Sequence, residues 1–249
     1  MNNIIDVEGI IISSRDYNDT SKILDIFTKE YGIIGVLAKG CKSLKSNLRS
    51  VTSNMTYATF TIYYKKDKLS ILKEATVIDN FKNIQKDIVK ISYASFLLDI
   101  SKQVYKQCND VNIYNILISS LKKINEGFNP LVITNILELK YLYYLGVMPN
   151  IDGCSICGSK NVITLSSDKG GLLCSKCRTF EPIVSDKTIK LVRMYYYVDI
   201  DKISKLELKN DIVNEVNNFI DDYYDRYTGL YLKSKKFIEK LSKVGEKDE

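Results

Sequence analysis

The chain contains no histidine. That single absence removes Ser-His-Asp triads, Cys-His nucleophile pairs and histidine-based metal catalysis. Carboxylate, lysine, tyrosine or cysteine chemistry remains, yet the 30 acidic residues are scattered and form no paired-carboxylate motif. No apolar run approaches the roughly 20 residues that span a bilayer, so no membrane partner is expected. The opening Met1-Asn2-Asn3-Ile4-Ile5-Asp6 lacks a basic start followed by an apolar core, and reads without a signal peptide. Cys41 and Cys108 are isolated, which suits a reducing cytoplasm.

What is present is an ordinary globular composition. The 249 residues are 45% hydrophobic, enough for a buried core, and their length suits one to three domains. The net charge of +6 suggests an anionic partner.

The cysteine pattern is the most specific feature. Cys154-Ser155-Ile156-Cys157 and Cys174-Ser175-Lys176-Cys177 are separated by sixteen residues. This C-x2-C-x16-C-x2-C spacing lies in the window for a four-cysteine zinc site. Two facing knuckles put four sulfurs around a tetrahedral ion. Gly153, Gly158 and Gly170-Gly171 supply turn conformations beside them. With four cysteine ligands and no position left open to water, the expected metal is one structural Zn(2+) per chain. Two disulfides or four idle thiols are the bland alternative.

Residues 1 to about 80 read as five short strands. Ile4–Ser13, Ile33–Ala38, Met55–Tyr64 and Ser70–Asp79 carry strand patterns, with Arg15–Asp19 and Lys65–Lys68 as turns. Ile23–Phe27 is a strand or a short helix, since periodicity alone does not decide. In Met55–Tyr64 the alternation puts Thr56, Ala58, Phe60, Ile62 and Tyr64 on one face. Five strands in this length predict a small barrel, for which the OB-fold is a candidate. From Lys39 to Lys73 the chain carries eight basic residues against the single acidic Asp67. Such a concentration on a small barrel is the footprint of phosphate-backbone binding, against the alternative of lysines kept for solubility. Tyr57, Tyr63 and Tyr64 are candidates for base stacking, or ordinary strand residues. The stretch Gly35-Val36-Leu37-Ala38-Lys39-Gly40-Cys41-Lys42 nearly spells a P-loop. Cys41 puts Lys42 one residue out of register, which excludes nucleotide binding there.

The remainder reads as helical. Apolar residues recur at helical spacing over Ile88–Val104 and Ile113–Ile124. Asn129-Pro130 starts a helix that Gly146 stops. Ser185-Asp186 caps another helix, and Ile212–Tyr227 carries the strongest stripe in the chain. Leu230–Lys236 reads as a last helix with a solvated face, and Gly245–Glu249 as a frayed tail. The expected organisation is α+β and multi-domain. It places a five-stranded OB-fold β-barrel at 1–80, a helical domain at 81–149 and 183–249, and a zinc-binding insert at 150–182.

This order, together with local stretches, resembles the bacterial RecO family of DNA repair proteins. The stretches are Gly9–Tyr17, Asp19–Ile23, Ala38-Lys39-Gly40, Glu138–Gly146, Gly170–Cys174 and Leu232–Phe237. The resemblance implies a non-enzymatic recombination mediator, cytoplasmic and nucleoid-associated. Such a protein binds single- and double-stranded DNA and anneals complementary strands. With RecR it helps load RecA onto DNA covered by single-strand DNA-binding protein, whose acidic C-terminal tail it can bind. On this sequence the expected phosphate contacts are Arg15, Lys22, Lys39, Lys42, Lys45 and Arg49. Lys140 beside Tyr141 and Tyr144 is a candidate contact for the partner tail. The competing readings are a nucleic-acid-modifying enzyme, or a transcription or translation factor, using a zinc ribbon as scaffold.

Overall fold

In the computed structural model the described residues are 3–232, 234, 235 and 238. The tail Gly245–Glu249 lies outside them, as do Lys233, Lys236 and Phe237. Strand β1 (Asn3–Asp16) is long enough to pair twice. Its first half is antiparallel to β4 (Tyr57–Tyr64), its second half to β2 (Lys22–Thr28). A register shift between Ile11 and Ser13 marks the irregularity within it. Gly9 sits where the two pairings overlap, and a Cβ there would lie 2.8 Å from the Phe27 carbonyl oxygen. β2 continues through a turn into β3 (Gly32–Ala38), and β5 (Ser70–Asp79) closes the ring between β3 and β4. The order β1-β2-β3-β5-β4 is a closed five-stranded OB-fold barrel. Val7, Ile11, Leu24, Ile26, Val36, Phe60 and Ile62 fill its interior, with the isolated Cys41 among them.

The ambiguous segment Ile23–Phe27 is a strand. Ile23, Leu24, Ile26 and Phe27 are all buried, so alternation is absent because both faces are covered. Leu24 and Ile26 point into the barrel, while Phe27 packs against Tyr105 and Tyr114 with ring centroids 4.7 and 5.4 Å away. Those tyrosines come from α2 (Ile88–Cys108) and α3 (Asn112–Glu126). A short α1 (Lys82–Gln85) precedes them, and Asp87 caps α2 by accepting from the Val89 and Lys90 amides. Lys102 of α2 reaches the barrel, its Nζ 2.7 Å from Asp25 Oδ2 and 3.2 Å from Ser13 Oγ. The segment Leu44–Ser50 forms turns that end in a 3-10 turn at Arg49–Val51, with Val51 buried.

The chain divides into two compact units, Met1–Leu121 with Ser234–Glu249, and Lys122–Lys233. The first therefore holds α1, α2 and most of α3 as well as the barrel. Of the expected last helix, Ser234 and Lys235 are helical, and Ser234 Oγ donates to Asp99 Oδ2 of α2 at 2.7 Å. The second unit is built on α4 (Pro130–Tyr144), buried on almost every side from Val132 to Leu142. Asn129 caps it by accepting from the Leu131 and Val132 amides, with Pro130 as the first helical residue. Ser185 caps α5 (Asp186–Tyr197). The long stripe becomes α6 (Asn210–Tyr227), whose Val213, Val216, Phe219, Ile220, Tyr223 and Tyr224 are buried. Tyr224 OH donates to the Glu138 carbonyl at 2.8 Å, joining α6 to α4. Two short strands, β6 (Thr164–Ser166) and β7 (Gly171–Leu173), pair antiparallel within the cysteine-bearing stretch.

Candidate nucleic-acid interface and candidate metal centre

Strand register decides where the basic residues meet. Arg15 lies opposite Ile23, and Lys22 opposite both Asp16 and Ala38. Arg15, Lys22 and Lys39 therefore share one end of the barrel. The Lys42 amide donates to the Thr20 carbonyl at 2.9 Å, which ties Lys42 to the β1–β2 loop at the same end. Arg15 and Lys39 are exposed, Lys22 and Lys42 half-buried. Lys45 and Arg49 are exposed on the loop that follows, further along the chain. Two acidic residues, Asp16 at the end of β1 and Asp19 in the β1–β2 loop, sit among these charges. Lys42 Nζ is 2.7 Å from Asp16 Oδ2. The hydrogen bond from Lys42 holds the Asp16 carboxyl below the usual carboxylate range. Sequence spacing hides this pair, because the partners are 26 positions apart.

Of the tyrosines considered for stacking, Tyr57 is not available. It is 4% exposed, stacks on Phe81 at 6.1 Å and donates its hydroxyl to Glu8 Oε1 at 2.6 Å. Strand alternation put it on the outer face, but that face is covered by Phe81 and by Tyr114, whose hydroxyl is 3.2 Å from the same Glu8 oxygen. Tyr63 and Tyr64 are half-buried. In the second unit, Tyr141 is fully buried. Lys140 is half-buried and its Nζ donates to the Tyr196 carbonyl at 3.0 Å. Burial lowers the Lys140 pKa, opposed by the nearby Asp199 carboxylate.

The four cysteines come together. Cys154, Cys157, Cys174 and Cys177 have sulfurs all within 4.8 Å of one another. The Cys157 and Cys174 sulfurs are 3.6 Å apart. A disulfide requires about 2.05 Å. A tetrahedral ion with sulfurs at about 2.3 Å has edges of roughly 3.8 Å, so the set fits zinc and not bridging. Local hydrogen bonding builds each knuckle. Gly158 N donates to the Cys154 carbonyl at 2.8 Å, and Arg178 N to the Cys174 carbonyl at 3.0 Å. Ser155 N donates to the Leu172 carbonyl at 2.8 Å, which fastens the first knuckle to the strand leading into the second. Gly171 has φ +146, and a Cβ there would lie 2.2 Å from the Asn150 carbonyl oxygen. Glycine is thus required where the Asn150 backbone crosses β7.

The thiols are electrostatically prepared for a cation. Burial raises the Cys154 pKa, but amide hydrogen bonds from Cys157, Cys174 and Ile156 overcome it and bring it to about 6. The Cys174 pKa is also lowered, chiefly by the Cys177 amide. Cys177 is pushed up to about 12, first by its hydrogen bond with the Cys157 sulfur. Four sulfurs this close do not all ionise without a countercharge, which a dication would supply. Beside them, Glu181 is 7% exposed and accepts from Thr179 N at 2.9 Å and Ser166 Oγ at 3.0 Å. The Thr179 amide leads the causes that hold its pKa at about 2. This buried carboxylate pins the chain after the second knuckle to β6, a role that sequence inspection missed.

A closed OB barrel carrying a basic end, followed by helices and a four-cysteine cluster compatible with a metal ion, defines a two-unit α+β protein. Comparison with known proteins makes this specific. The family model for the Recombination protein O N terminal matches residues 1–81, and that for the Recombination protein O C terminal matches 85–236. A DNA repair protein RecO from Listeria monocytogenes serotype 4b is 34% identical over 241 residues, 95% of this chain and 94% of the relative. The protein of that name from Halalkalibacterium halodurans is 32% identical over 247 residues, 97% of each chain. The one from Bacillus velezensis is 31% identical over 242 residues, 95% and 94% of the two chains. The chain belongs to the RecO family of DNA repair proteins. Among the described residues no helix is long and apolar enough to cross a membrane.

Proposed function

We propose that the protein is a recombination mediator that binds DNA and performs no covalent chemistry. The observation that carries this reading is the exposed basic end of an OB barrel in a RecO-family chain. Arg15, Lys22, Lys39, Lys42, Lys45 and Arg49 neutralise phosphates of single- or double-stranded DNA. Lower backbone repulsion lets complementary strands approach and pair, so annealing needs no nucleotide. DNA binding is assigned to residues 1–80, the helical scaffold to 81–149 and 183–249, and the metal module to 150–182. The meeting of the two family matches between 81 and 85 supports the first boundary.

Cys154, Cys157, Cys174 and Cys177 would hold one Zn(2+) per chain, which supplies cross-linking of the fold and no open coordination position. Together with RecR, the protein helps RecA load onto DNA covered by single-strand DNA-binding protein, in the cytoplasm at the nucleoid. The acidic C-terminal tail of that binding protein is assigned to the surface at Lys140, with Tyr141 supporting it from the core. The test is annealing of complementary oligonucleotides without nucleotide. The parent protein anneals them, and the Lys39/Lys42/Lys45→Glu variant does not. A parent that anneals nothing, or that turns over nucleotide or phosphodiester instead, contradicts the reading.

A further inference from the structure

The basic stretch of the sequence is divided by the fold between two places. Lys39 and Lys42 lie at the end where β2 begins and β3 ends. Lys29 lies at the opposite end, where Thr28 of β2 pairs with Gly32 of β3. The β4–β5 hairpin, with Lys65, Lys66 and Lys68, comes to this second end. Its Leu69 side chain lies against Gly35, and Tyr64 at its base touches Tyr31, with ring centroids 5.0 Å apart and planes at 43°. Tyr64 packs on the barrel core, Tyr31 leans on Tyr64, and Tyr31 remains 44% exposed. Beside Tyr31 opens a cleft of about 360 Å³, lined by Lys29, Glu30, Tyr105, Asn109 and Val111.

We propose that Tyr31, backed by Tyr64, is a stacking platform for an unpaired base of single-stranded nucleic acid, at the barrel end opposite Lys39. This rests on the DNA-binding reading above and adds a base contact to its phosphate contacts. Three features argue for that ligand. The outer tyrosine presents an open face while the inner one is fixed by the core, so stacking costs little ordering. Lysines flank it on both sides, from the β2–β3 turn and the β4–β5 hairpin, where a strand's phosphates would run. Asn109 and Glu30 are among the cleft's lining residues, side-chain types that offer a donor and an acceptor to an unpaired base edge. A duplex keeps its bases stacked inside, so this platform discriminates for single strands.

The chain has no tryptophan. Tyr31→Trp therefore introduces a lone indole reporter at the platform. The Tyr31 backbone amide already donates to Thr28 Oγ1 at 3.0 Å, a bond any residue retains, so the turn survives substitution. The probes are a short oligodeoxythymidylate, an abasic strand of equal length and a blunt duplex. The indole is quenched by the oligodeoxythymidylate and not by the other two. Tyr31→Ala binds the oligodeoxythymidylate about 5- to 150-fold more weakly, the loss of one stacked base, with duplex affinity and salt dependence unchanged. Tyr31→Phe binds as the parent does. A silent indole on a strand that binds, or equal losses on single strand and duplex, overturns the platform. If the parent binds no DNA, the underlying reading falls and the platform with it. If the Lys39/Lys42/Lys45→Glu variant loses binding while the indole stays silent in the otherwise unaltered protein, the platform alone falls.

Discussion

The ion pair between Lys42 and Asp16 makes a prediction that runs against the usual direction of mutagenesis. Asp16→Asn should strengthen DNA binding. Asp16 places a carboxylate 2.7 Å from one of the four cations gathered at the barrel end. The Lys42 and Asp16 side chains are 32% and 64% exposed, so the pair contributes little to stability. Its consequence is competition with a phosphate for Lys42. Low pH is not a practical way to release Lys42, because its hydrogen bond holds the Asp16 carboxyl below the usual carboxylate range. Substitution is needed. One more phosphate neutralised steepens the dependence of log affinity on log salt by about 0.7 for a single strand. Taking the gain to vanish near ~1 M salt, the variant binds about eightfold tighter at ~50 mM and about threefold tighter at ~200 mM. Anisotropy of a labelled oligonucleotide across that range measures both quantities. Unchanged affinity with an unchanged slope would refute the reasoning, and so would an equal gain in a Lys42→Ala background.

Three further outcomes follow from the same geometry. Asp25→Asn breaks the Lys102 tie between α2 and the barrel and costs about 1–2 kcal/mol, read as a lower urea midpoint. Burial opposes ionisation of Asp25, but hydrogen bonds from Lys102 and Ser13 outweigh it and depress its pKa. Its contribution is therefore complete above the unfolded value near ~3.9, and the gap between parent and variant closes as pH falls through the depressed folded value. Gly171→Ala, forced onto φ +146 with a Cβ against Asn150, costs about 3 kcal/mol and lowers retained zinc. Gly170→Ala, at φ +74 in open space, costs only about 1 kcal/mol, so equal melting temperatures for the two variants would count against the close approach. Cys174→Ser lowers zinc content and thermal stability while leaving the salt slope of DNA binding intact in the folded protein. Intact stability with abolished binding would make the module a contact surface.

The parts of this molecule that read clearly from sequence are those governed by local rules. The Asn129-Pro130 and Ser185 caps, the stripe of α6 and the C-x2-C pairs depend on neighbours a few positions away, and each appears where its pattern places it. Residues decided by distant partners read less well. Ile23–Phe27 lost its strand signature because helices cover its outer face. Tyr57 read as either a stacking candidate or an ordinary strand residue, and Phe81, Glu8 and Tyr114 close over it. Lys42 read as a free cation, although a turn of chain brings Asp16 to it. Tyr31 read as no more than half of a Tyr31-Gly32 turn, and the hairpin at Tyr64 gives it a ring partner. Register and long-range contact are what the linear pattern does not contain.

The most direct measurement is the salt-titrated affinity of the parent and of Lys39/Lys42/Lys45→Glu for a single-stranded oligonucleotide. With Lys42 engaged by Asp16, the other five basic residues meet phosphates and the parent's log affinity falls with log salt at a slope of about 3.5. The variant's slope is then shallower by about 1.4, with most of the low-salt affinity gone. Equal affinities and equal slopes for the two proteins would contradict the assignment of DNA binding to this end of the barrel.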